Sequence, residues 1–236
     1  MSETKSRPKA FFIAGTDTGV GKTLVSAALL FKAQQQNLST AALKPVAAGC
    51  EETLDGLRNE DALLLQKYCQ PSLRYEQINP VALRAAIAPH IAAQQENRRL
   101  SVNGLSGFCR GVLMTRADFT VVEGAGGWRV PLNARETLAD LAKELHLPVI
   151  LVVGVRLGCI NHTLLTVEAI VRDGLSLAGW VANVIDADMP CIDENIAAIA
   201  ERLRAPCLGK IPCLNKALPE LAAEHLDLSP LLSALL

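Results

Sequence analysis

Residues 11–23 carry the pattern with the clearest chemistry, Phe-Phe-Ile-Ala-Gly-Thr-Asp-Thr-Gly-Val-Gly-Lys-Thr. An apolar run ends at Gly15, small and polar residues follow, and Gly21-Lys22-Thr23 opens a helix-like segment. Small residues let backbone N–H groups wrap an anion, and a helix N-terminus adds a positive dipole. This pattern predicts a phosphate-binding loop in which Lys22 reaches the outer phosphates and the Thr23 hydroxyl binds Mg²⁺. An ordinary strand–turn–helix connection is the alternative, since the usual spacing would put the first glycine at position 16.

Three charged residues follow predicted strands or long loops and are candidates for the same site. Lys44 ends a short apolar run and could neutralise a phosphate or an anionic intermediate. Asp61 follows a polar loop, where a plain helix N-terminal acid is an equal interpretation. Glu123 ends the run Phe-Thr-Val-Val and precedes glycines that would admit a close ligand. Because Mg²⁺ prefers oxygen ligands, we expect Thr23, Asp61 and Glu123 to bind it.

A turn after the most apolar stretch of the second half offers a further anion site. Gly158, Cys159, Ile160 and Asn161 open a predicted helix, so their N–H groups could bind a carboxylate. A plain capping turn with Asn161 as the cap is the alternative. Nucleophilic chemistry at Cys159 is disfavoured, because no partner base is evident.

Two segments near the ends of the last strands could line a base pocket. Asn183 ends the run Ala-Gly-Trp-Val-Ala-Asn, where a side-chain amide could read a purine edge. Residues 209–212, Gly-Lys-Ile-Pro, could line the same pocket.

The four histidines are dispersed without metal-ligand spacing, so structural or surface roles are favoured for them.

The apolar patterns predict strands that alternate with helices. Strands are expected at 9–14, 40–43, 119–123, 148–153, 177–182 and 207–211. Helices are expected at 21–36, 61–68 with a cap near Asn59, 101–116, 137–145, 161–172, 192–203 and 217–224, with loops at 44–49 and 50–60 and an irregular segment at 71–89. This order predicts an α/β fold, a doubly wound, mostly parallel sheet with helices on both faces, of the P-loop NTPase type. All strands should end at one edge, where ligands bind.

Composition excludes several classes. The chain has 236 residues, is 50% hydrophobic and carries a net charge of −1, which predicts a globular protein that binds neither nucleic acid nor a membrane. Without repeats or linkers we expect a single domain, 1–236, with a flexible tail at 1–9 that lacks a secretory pattern. The 7 scattered cysteines form no C-x-x-C pair and indicate a reducing, cytoplasmic location.

Several segments, in order along most of the chain, resemble dethiobiotin synthetases. They are the loop at 15–23, Lys-Pro-Val-Ala at 44–47, Gly-Leu-Arg-Asn-Glu-Asp-Ala at 56–62, Val-Glu-Gly-Ala-Gly-Gly-Trp at 122–128, Pro-Val-Ile-Leu-Val-Val-Gly at 148–154, Leu-Gly-Cys-Ile-Asn-His at 157–162 and Gly-Trp-Val-Ala-Asn at 179–183. The resemblance implies a cyclo-ligase of biotin biosynthesis. Such an enzyme closes a ureido ring on 7,8-diaminopelargonic acid with CO₂ and ATP, through a carbamate and a carbamic–phosphoric anhydride.

By this resemblance, each motif has a role. The ATP site would comprise Gly19, Val20, Gly21, Lys22, Thr23, Glu123, Gly124, Ala125, Gly126, Asn183, Pro212, Cys213 and Leu214. Catalysis would fall to Lys22, Lys44 and Thr18, and Mg²⁺ to Thr23, Asp61 and Glu123. The substrate would contact Thr18, Lys44, Ala48, Gly158, Cys159, Ile160 and Asn161, the last four donated across a homodimer interface.

Four positions depart from the family pattern. Gly19 stands where Glu is frequent, Ala48 where a hydroxyl residue is frequent, Lys210 where an acid is common and Cys213 where an aromatic is common. The main rival is a nucleotide-switch ATPase of the partition or septum-positioning type. Such proteins carry an extra lysine early in the loop, where this chain has Asp17, and often a basic membrane helix at the C-terminus. An amidation enzyme acting on corrinoid acids would need extra length.

Overall fold

The computed structural model describes residues 9–233, so residues 1–8 of the predicted flexible tail lie outside the described residues. The strands are β1 (Lys9–Gly15), β2 (Thr40–Leu43), β3 (Val46–Ala48), β4 (Glu51–Thr53), β5 (Gly56–Arg58), β6 (Val81–Leu83), β7 (Phe119–Gly127), β8 (Val149–Val155), β9 (Leu177–Val184) and β10 (Cys207–Ile211). The helices are α1 (Lys22–Gln34), α2 (Glu60–Lys67), α3 (Tyr75–Ile78), α4 (Pro89–Gln95), α5 (Val102–Leu113), α6 (Leu138–Leu145), α7 (Cys159–Arg172), α8 (Ile192–Ala200), α9 (Pro219–Ala223) and α10 (Ser229–Ser233).

The central sheet has 6 strands in the order β10-β9-β8-β1-β7-β2. Every neighbouring pair in it is parallel. Helices α1, α2 and α9 pack on one face, whereas α5, α6, α7 and α8 pack on the other. The predicted fold class, a doubly wound parallel sheet, is confirmed, and the assignment of one domain stays a prediction.

Two neighbouring aromatic residues fix β1 between the two layers. Phe11 packs against Phe119 with ring centroids 5.4 Å apart, in one core. Phe12 meets Trp128 edge to face at 6.0 Å, in the opposite core. Because successive side chains of a strand point to opposite faces, this pair anchors β1 from both sides. The loop that leaves β1 therefore starts from a strand that is packed on both faces.

Short elements lie where loops were expected, so the loop predictions for 44–49, 50–60 and 71–89 were wrong. Strand β3 pairs in parallel with β6, and β4 forms an antiparallel hairpin with β5. Helix α3 also lies in the segment that was predicted to be irregular. Strands of three residues are too short for a periodic pattern, and β3 gains its pairing from a distant segment.

Helix caps agree better with the pattern. Asn59, the predicted cap of α2, accepts a hydrogen bond from the Ala62 N–H at 3.3 Å. Ser101 caps α5 in the same way. Within residues 9–233, no helix combines the length and the apolar character that crossing a membrane requires.

Two glycine substitutions, one in β10 and one in α5, test the close approach of residue 225 to the edge strand β10. An added Cβ at Gly209, where φ is +152°, would lie 1.9 Å from the His225 carbonyl oxygen. We expect Gly209→Ala to lower the free energy of unfolding by at least about 2 kcal/mol, because the clash and the strained backbone add. Urea denaturation followed by circular dichroism measures the change.

Gly107→Ala is the control, because its Cβ on α5 would meet nothing within 4 Å. It should stabilise the protein by about 0.5–1 kcal/mol, the usual gain of Ala over Gly inside a helix. Equal denaturation midpoints for Gly209→Ala and the wild type would contradict the close approach of residue 225 to β10.

Candidate active site

The loop between β1 and α1 has the backbone geometry of an anion cradle. Gly21 is the N-cap of α1 in the left-handed conformation, with φ +86°. Among the described residues, no side chain accepts a hydrogen bond from the first turn of this helix. The N–H groups at its start are therefore available to a bound anion.

Lys22 is the first residue of α1, and its side chain packs against the loop that precedes it. Its side chain is largely buried, and its ammonium donates to the Asp17 carbonyl at 3.2 Å. Burial lowers the pKa of Lys22, and the nearby Glu123 carboxylate opposes that lowering. The loop thus surrounds a cation that is poorly solvated and suited to binding phosphate.

A buried ion-pair network lies directly beside the loop. The Lys44 Nζ is 2.5 Å from Glu123 Oε1 and 2.7 Å from Asp61 Oδ2. The Thr23 hydroxyl donates to the same Glu123 oxygen at 2.8 Å. The structure therefore brings together Lys44, which follows β2, and the three residues that were expected to share one metal site, Thr23 on α1, Asp61 on α2 and Glu123 on β7.

The protonation states in this network follow from its charges. Burial lowers the pKa of Lys44, but the Glu123 and Asp61 carboxylates outweigh it and raise that pKa above its ordinary value. Burial also raises the pKa of Asp61, but the Lys44 ammonium outweighs it and holds that pKa below its usual value. Lys44 is therefore a permanent cation at neutral pH.

Glu123 fits a divalent cation better than a purely structural role. It is 0% exposed, and among the described residues no donor reaches its second oxygen, Oε2. Those residues hold no group of three or more His, Cys, Asp and Glu that could bind a metal alone. Mg²⁺ needs only one or two carboxylates when phosphates and water complete its shell, so Thr23, Asp61 and Glu123 fit it.

The glycine segment of β7, which was predicted to contact ATP, lies against the same loop. An added Cβ at Gly126 would lie 3.2 Å from the Thr18 hydroxyl, so the glycine segment of β7 passes beside the loop. Gly124 packs on the ring of Phe12, where a Cβ would be 3.2 Å away. Ala125 is partly buried in the adjoining core, and Ala48 ends β3.

The predicted base pocket shows a contact that sequence reasoning missed. The amide Nδ2 of buried Asn183 donates to the Val20 carbonyl at 2.9 Å, so this residue supports the phosphate loop. A Cβ at Gly21 would lie only 2.2 Å from that nitrogen, which explains the glycine. The segment Pro212, Cys213 and Leu214 follows β10 directly. Lys210 is tied to Asp193 of α8, with Nζ and Oδ1 2.5 Å apart.

The turn at the start of α7 differs from one prediction. Gly158 is the N-cap, with φ +94°, so Asn161 lies in the first turn of the helix, and the alternative in which Asn161 is the cap is wrong. A left-handed backbone favours glycine, whereas Asn161 continues the helix. Asn161 is exposed and Ile160 partly so, but the Cys159 side chain is buried, which disfavours it as a nucleophile.

A second missed contact joins this turn to the phosphate loop. Arg156, which follows β8, donates from Nη2 to the Asp17 carboxylate at 2.6 Å. The sequence did offer a signal for this contact, because Arg156 comes directly after the most apolar strand. That strand was expected to end at the edge of the sheet where ligands bind.

One cavity lies away from the phosphate loop and the ion-pair network. It measures about 1300 Å³ and is lined mainly by α4 and residues 97–101 and 132–136. It contains none of the predicted site residues. The phosphate loop and the ion-pair network instead meet each other at the carboxyl ends of the strands.

Parallel-sheet topology, the phosphate loop and the adjoining carboxylates define a P-loop nucleotide-binding protein of the α/β type. A family model described as an AAA domain matches residues 9–220. A ParA family ATPase from Chlorobium tepidum has a similar fold, with TM-score 0.51 and 13% identity over 96% of this chain and 92% of that one. The cell division protein FtsY from Thermotoga maritima has TM-score 0.51 and 15% identity over 93% and 68%.

Sequence relatives narrow the class to one family. The chain is 66% identical to an ATP-dependent dethiobiotin synthetase of Cellvibrio japonicus, over 96% of this chain and 99% of that protein. It is 60% identical to the Pseudomonas aeruginosa protein of that name, over 94% and 97%, and 50% identical to that of Marinobacter nauticus, over 94% and 97%. The chain belongs to the family of ATP-dependent dethiobiotin synthetases.

The pH dependence of stability should report the ion pair between Lys44 and Asp61. The pKa of Asp61 in the folded protein is below the unfolded value of about 3.9, so its stabilisation is present above that value and is lost on acidification. The free energy of unfolding should therefore fall more steeply between about pH 5 and pH 2 for the wild type than for Asp61→Asn. Urea denaturation at each pH measures both slopes, and equal slopes would contradict the pairing.

Proposed function

We propose that this protein makes dethiobiotin from 7,8-diaminopelargonic acid, CO₂ or bicarbonate and ATP. One amine becomes a carbamate, whose oxygen attacks the γ-phosphate and releases ADP. The second amine then attacks the carbonyl carbon of the carbamic–phosphoric anhydride, closing the ring and expelling phosphate. The observation that carries the proposal is the buried cation Lys44 beside a phosphate loop that already contains Lys22.

The phosphate loop would hold ATP. We assign the triphosphate to the N–H groups of residues 19–23 and to the Lys22 ammonium, because the start of α1 has no side-chain cap. Thr23, Asp61 and Glu123 would hold Mg²⁺, which when bound neutralises charge on the transferring phosphate. The uncompensated Oε2 of Glu123 supports this assignment.

Lys44 would stabilise the reacting anions. Its carboxylate partners keep it protonated, and its position at the end of β2 is fixed by them. A fixed, desolvated cation is most effective where negative charge develops during a reaction. We therefore assign Lys44 to the carbamate and to the phosphoryl group in transfer, with the Thr18 hydroxyl at the carbamate end.

A homodimer would complete the substrate site. Gly158 and Asn161 are exposed at the start of α7, flanked by the exposed apolar residues Leu157 and Leu165. Exposed apolar residues around a polar turn are suited to a protein interface. In the proposed dimer, this turn binds the carboxylate tail of the substrate that the partner subunit holds. The carbon chain of that substrate passes Ala48 on its way to the turn.

The adenine base would bind near the ends of β9 and β10, and the protein would work in the cytoplasm. Asn183 and the segment Pro212, Cys213 and Leu214 would surround adenine, because both lie at the carboxyl ends of the last two strands. Lys210 is engaged by Asp193 and is not assigned a ligand. A cytoplasmic location is supported by the free state of every cysteine.

The proposed reaction predicts a strict requirement for all substrates. Purified protein should release phosphate from ATP only when the diamine, bicarbonate and Mg²⁺ are present together, because the acceptor of the phosphoryl group is the carbamate. Phosphate release measures the consumption of ATP, and incorporation of labelled bicarbonate into dethiobiotin measures ring closure. Rapid ATP hydrolysis at a rate that does not change when the diamine is added would favour a nucleotide-switch ATPase instead.

Lys44→Gln should impair chemistry more than nucleotide binding. Losing a charge that acts on the transition state should lower single-turnover ring closure by about a hundredfold or more, whereas the Kd for ATP changes by less than about fivefold. Rapid-quench kinetics and calorimetry measure the two quantities.

Lys143→Gln is the matched control, since it breaks an exposed ion pair with Asp140 and should leave both quantities unchanged. A collapse of ATP affinity in Lys44→Gln with normal single-turnover chemistry would overturn the role given to Lys44.

A further inference from the structure

A carboxylate lies within the loop that is expected to bind a polyanion. Asp17 occupies the phosphate loop, and its Oδ1 accepts a hydrogen bond from the Thr18 N–H at 2.7 Å. Its own carbonyl accepts from the Lys22 ammonium at 3.2 Å. A negative charge this close to the phosphate-binding groups opposes anion binding unless a cation compensates it.

Arg156 supplies that cation from the neighbouring strand. Its Nη2 lies 2.6 Å from the second carboxylate oxygen of Asp17, and both side chains are partly exposed, at 42% and 45%. The Arg156 carbonyl accepts a hydrogen bond from the Cys159 N–H at 3.0 Å, in the turn that leads into α7. The loop itself is tied to β8, since the Thr16 N–H donates to the Val152 carbonyl at 3.0 Å.

The Asp17 charge also reaches Lys22. Burial lowers the pKa of Lys22, and Asp17 is among the carboxylates that oppose this lowering. One carboxylate thus influences the loop lysine through space, orders the Thr18 N–H and is bonded to Arg156. The ion pair is therefore placed to affect how the loop accepts phosphate.

We propose that Arg156 is a positioning residue for ATP, which holds the Asp17 carboxylate on the β8 side of the phosphate loop and neutralises its charge. Without Arg156, the carboxylate is free to turn and stays uncompensated beside the triphosphate. The proposal rests on the proposed function only in that a nucleotide occupies this loop. It assigns Arg156 no contact with the reacting atoms.

The test separates nucleotide binding from chemistry. Arg156→Gln should raise the Kd and the KM for ATP by about three- to tenfold at low salt, and by less at high salt, because a partly exposed charge is screened. Its kcat should stay within about twofold of the wild type. Arg156→Lys should retain most of the affinity, since it keeps the charge.

The double variant is the decisive arm. Adding Asp17→Asn to Arg156→Gln should restore the ATP affinity to within about twofold of the wild type, because no charge then needs compensation. Calorimetric titration with ATP and Mg²⁺ measures the Kd in every variant. Arg110→Gln, which breaks an ion pair of similar exposure with Glu144, is the control and should bind ATP normally.

Three results would overturn the proposal. They are an unchanged Kd in Arg156→Gln, a loss that Asp17→Asn does not relieve, and a fall in kcat without a change in Kd. The last result would mean that Arg156 acts on the transferring phosphate. Because calorimetry needs no diamine, a wild type that binds ATP but makes no dethiobiotin would refute the proposed reaction and leave this test intact.

Discussion

The structure depends on one buried charge, the carboxylate of Glu123, and on the cation that compensates it. Glu123 lies fully buried in an otherwise apolar strand, where an unpaired charge would be strongly unfavourable. Lys44 binds it at 2.5 Å and also binds Asp61, so one lysine links β2, β7 and α2. Well-packed apolar residues would often stabilise such a position equally well or better. Stability alone therefore does not explain the network, which is consistent with the chemistry proposed for it.

Strand order explains why this network meets the phosphate loop. The neighbours β2, β7, β1 and β8 are parallel, so their carboxyl ends lie side by side. Lys44 follows the first of them, Glu123 lies on the second, the phosphate loop leaves the third, and Arg156 follows the fourth. Each strand thus contributes one charged element to a single edge.

The structure shows the surroundings of three of the residues that depart from the family pattern, Gly19, Ala48 and Lys210. Gly19 has a φ of +73°, a conformation that glycine adopts without strain, and an added Cβ would meet nothing within 4 Å. Ala48 ends β3 without a hydroxyl to offer, and Lys210 is occupied by Asp193. None of these positions belongs to the network around Glu123, so the chemistry assigned to that network does not depend on them.

The sequence by itself determined the alternation of strands and helices, the phosphate loop, the Asn59 cap and the identity of the charged residues. These signals are local, because periodicity, glycine spacing and capping act over a few residues. Only the tertiary structure decided that β3 pairs with β6, that Asn183 supports the loop at Val20 and that Arg156 reaches Asp17. Such contacts join residues far apart in the chain, and their geometry exists only once the sheet has brought the strand ends together.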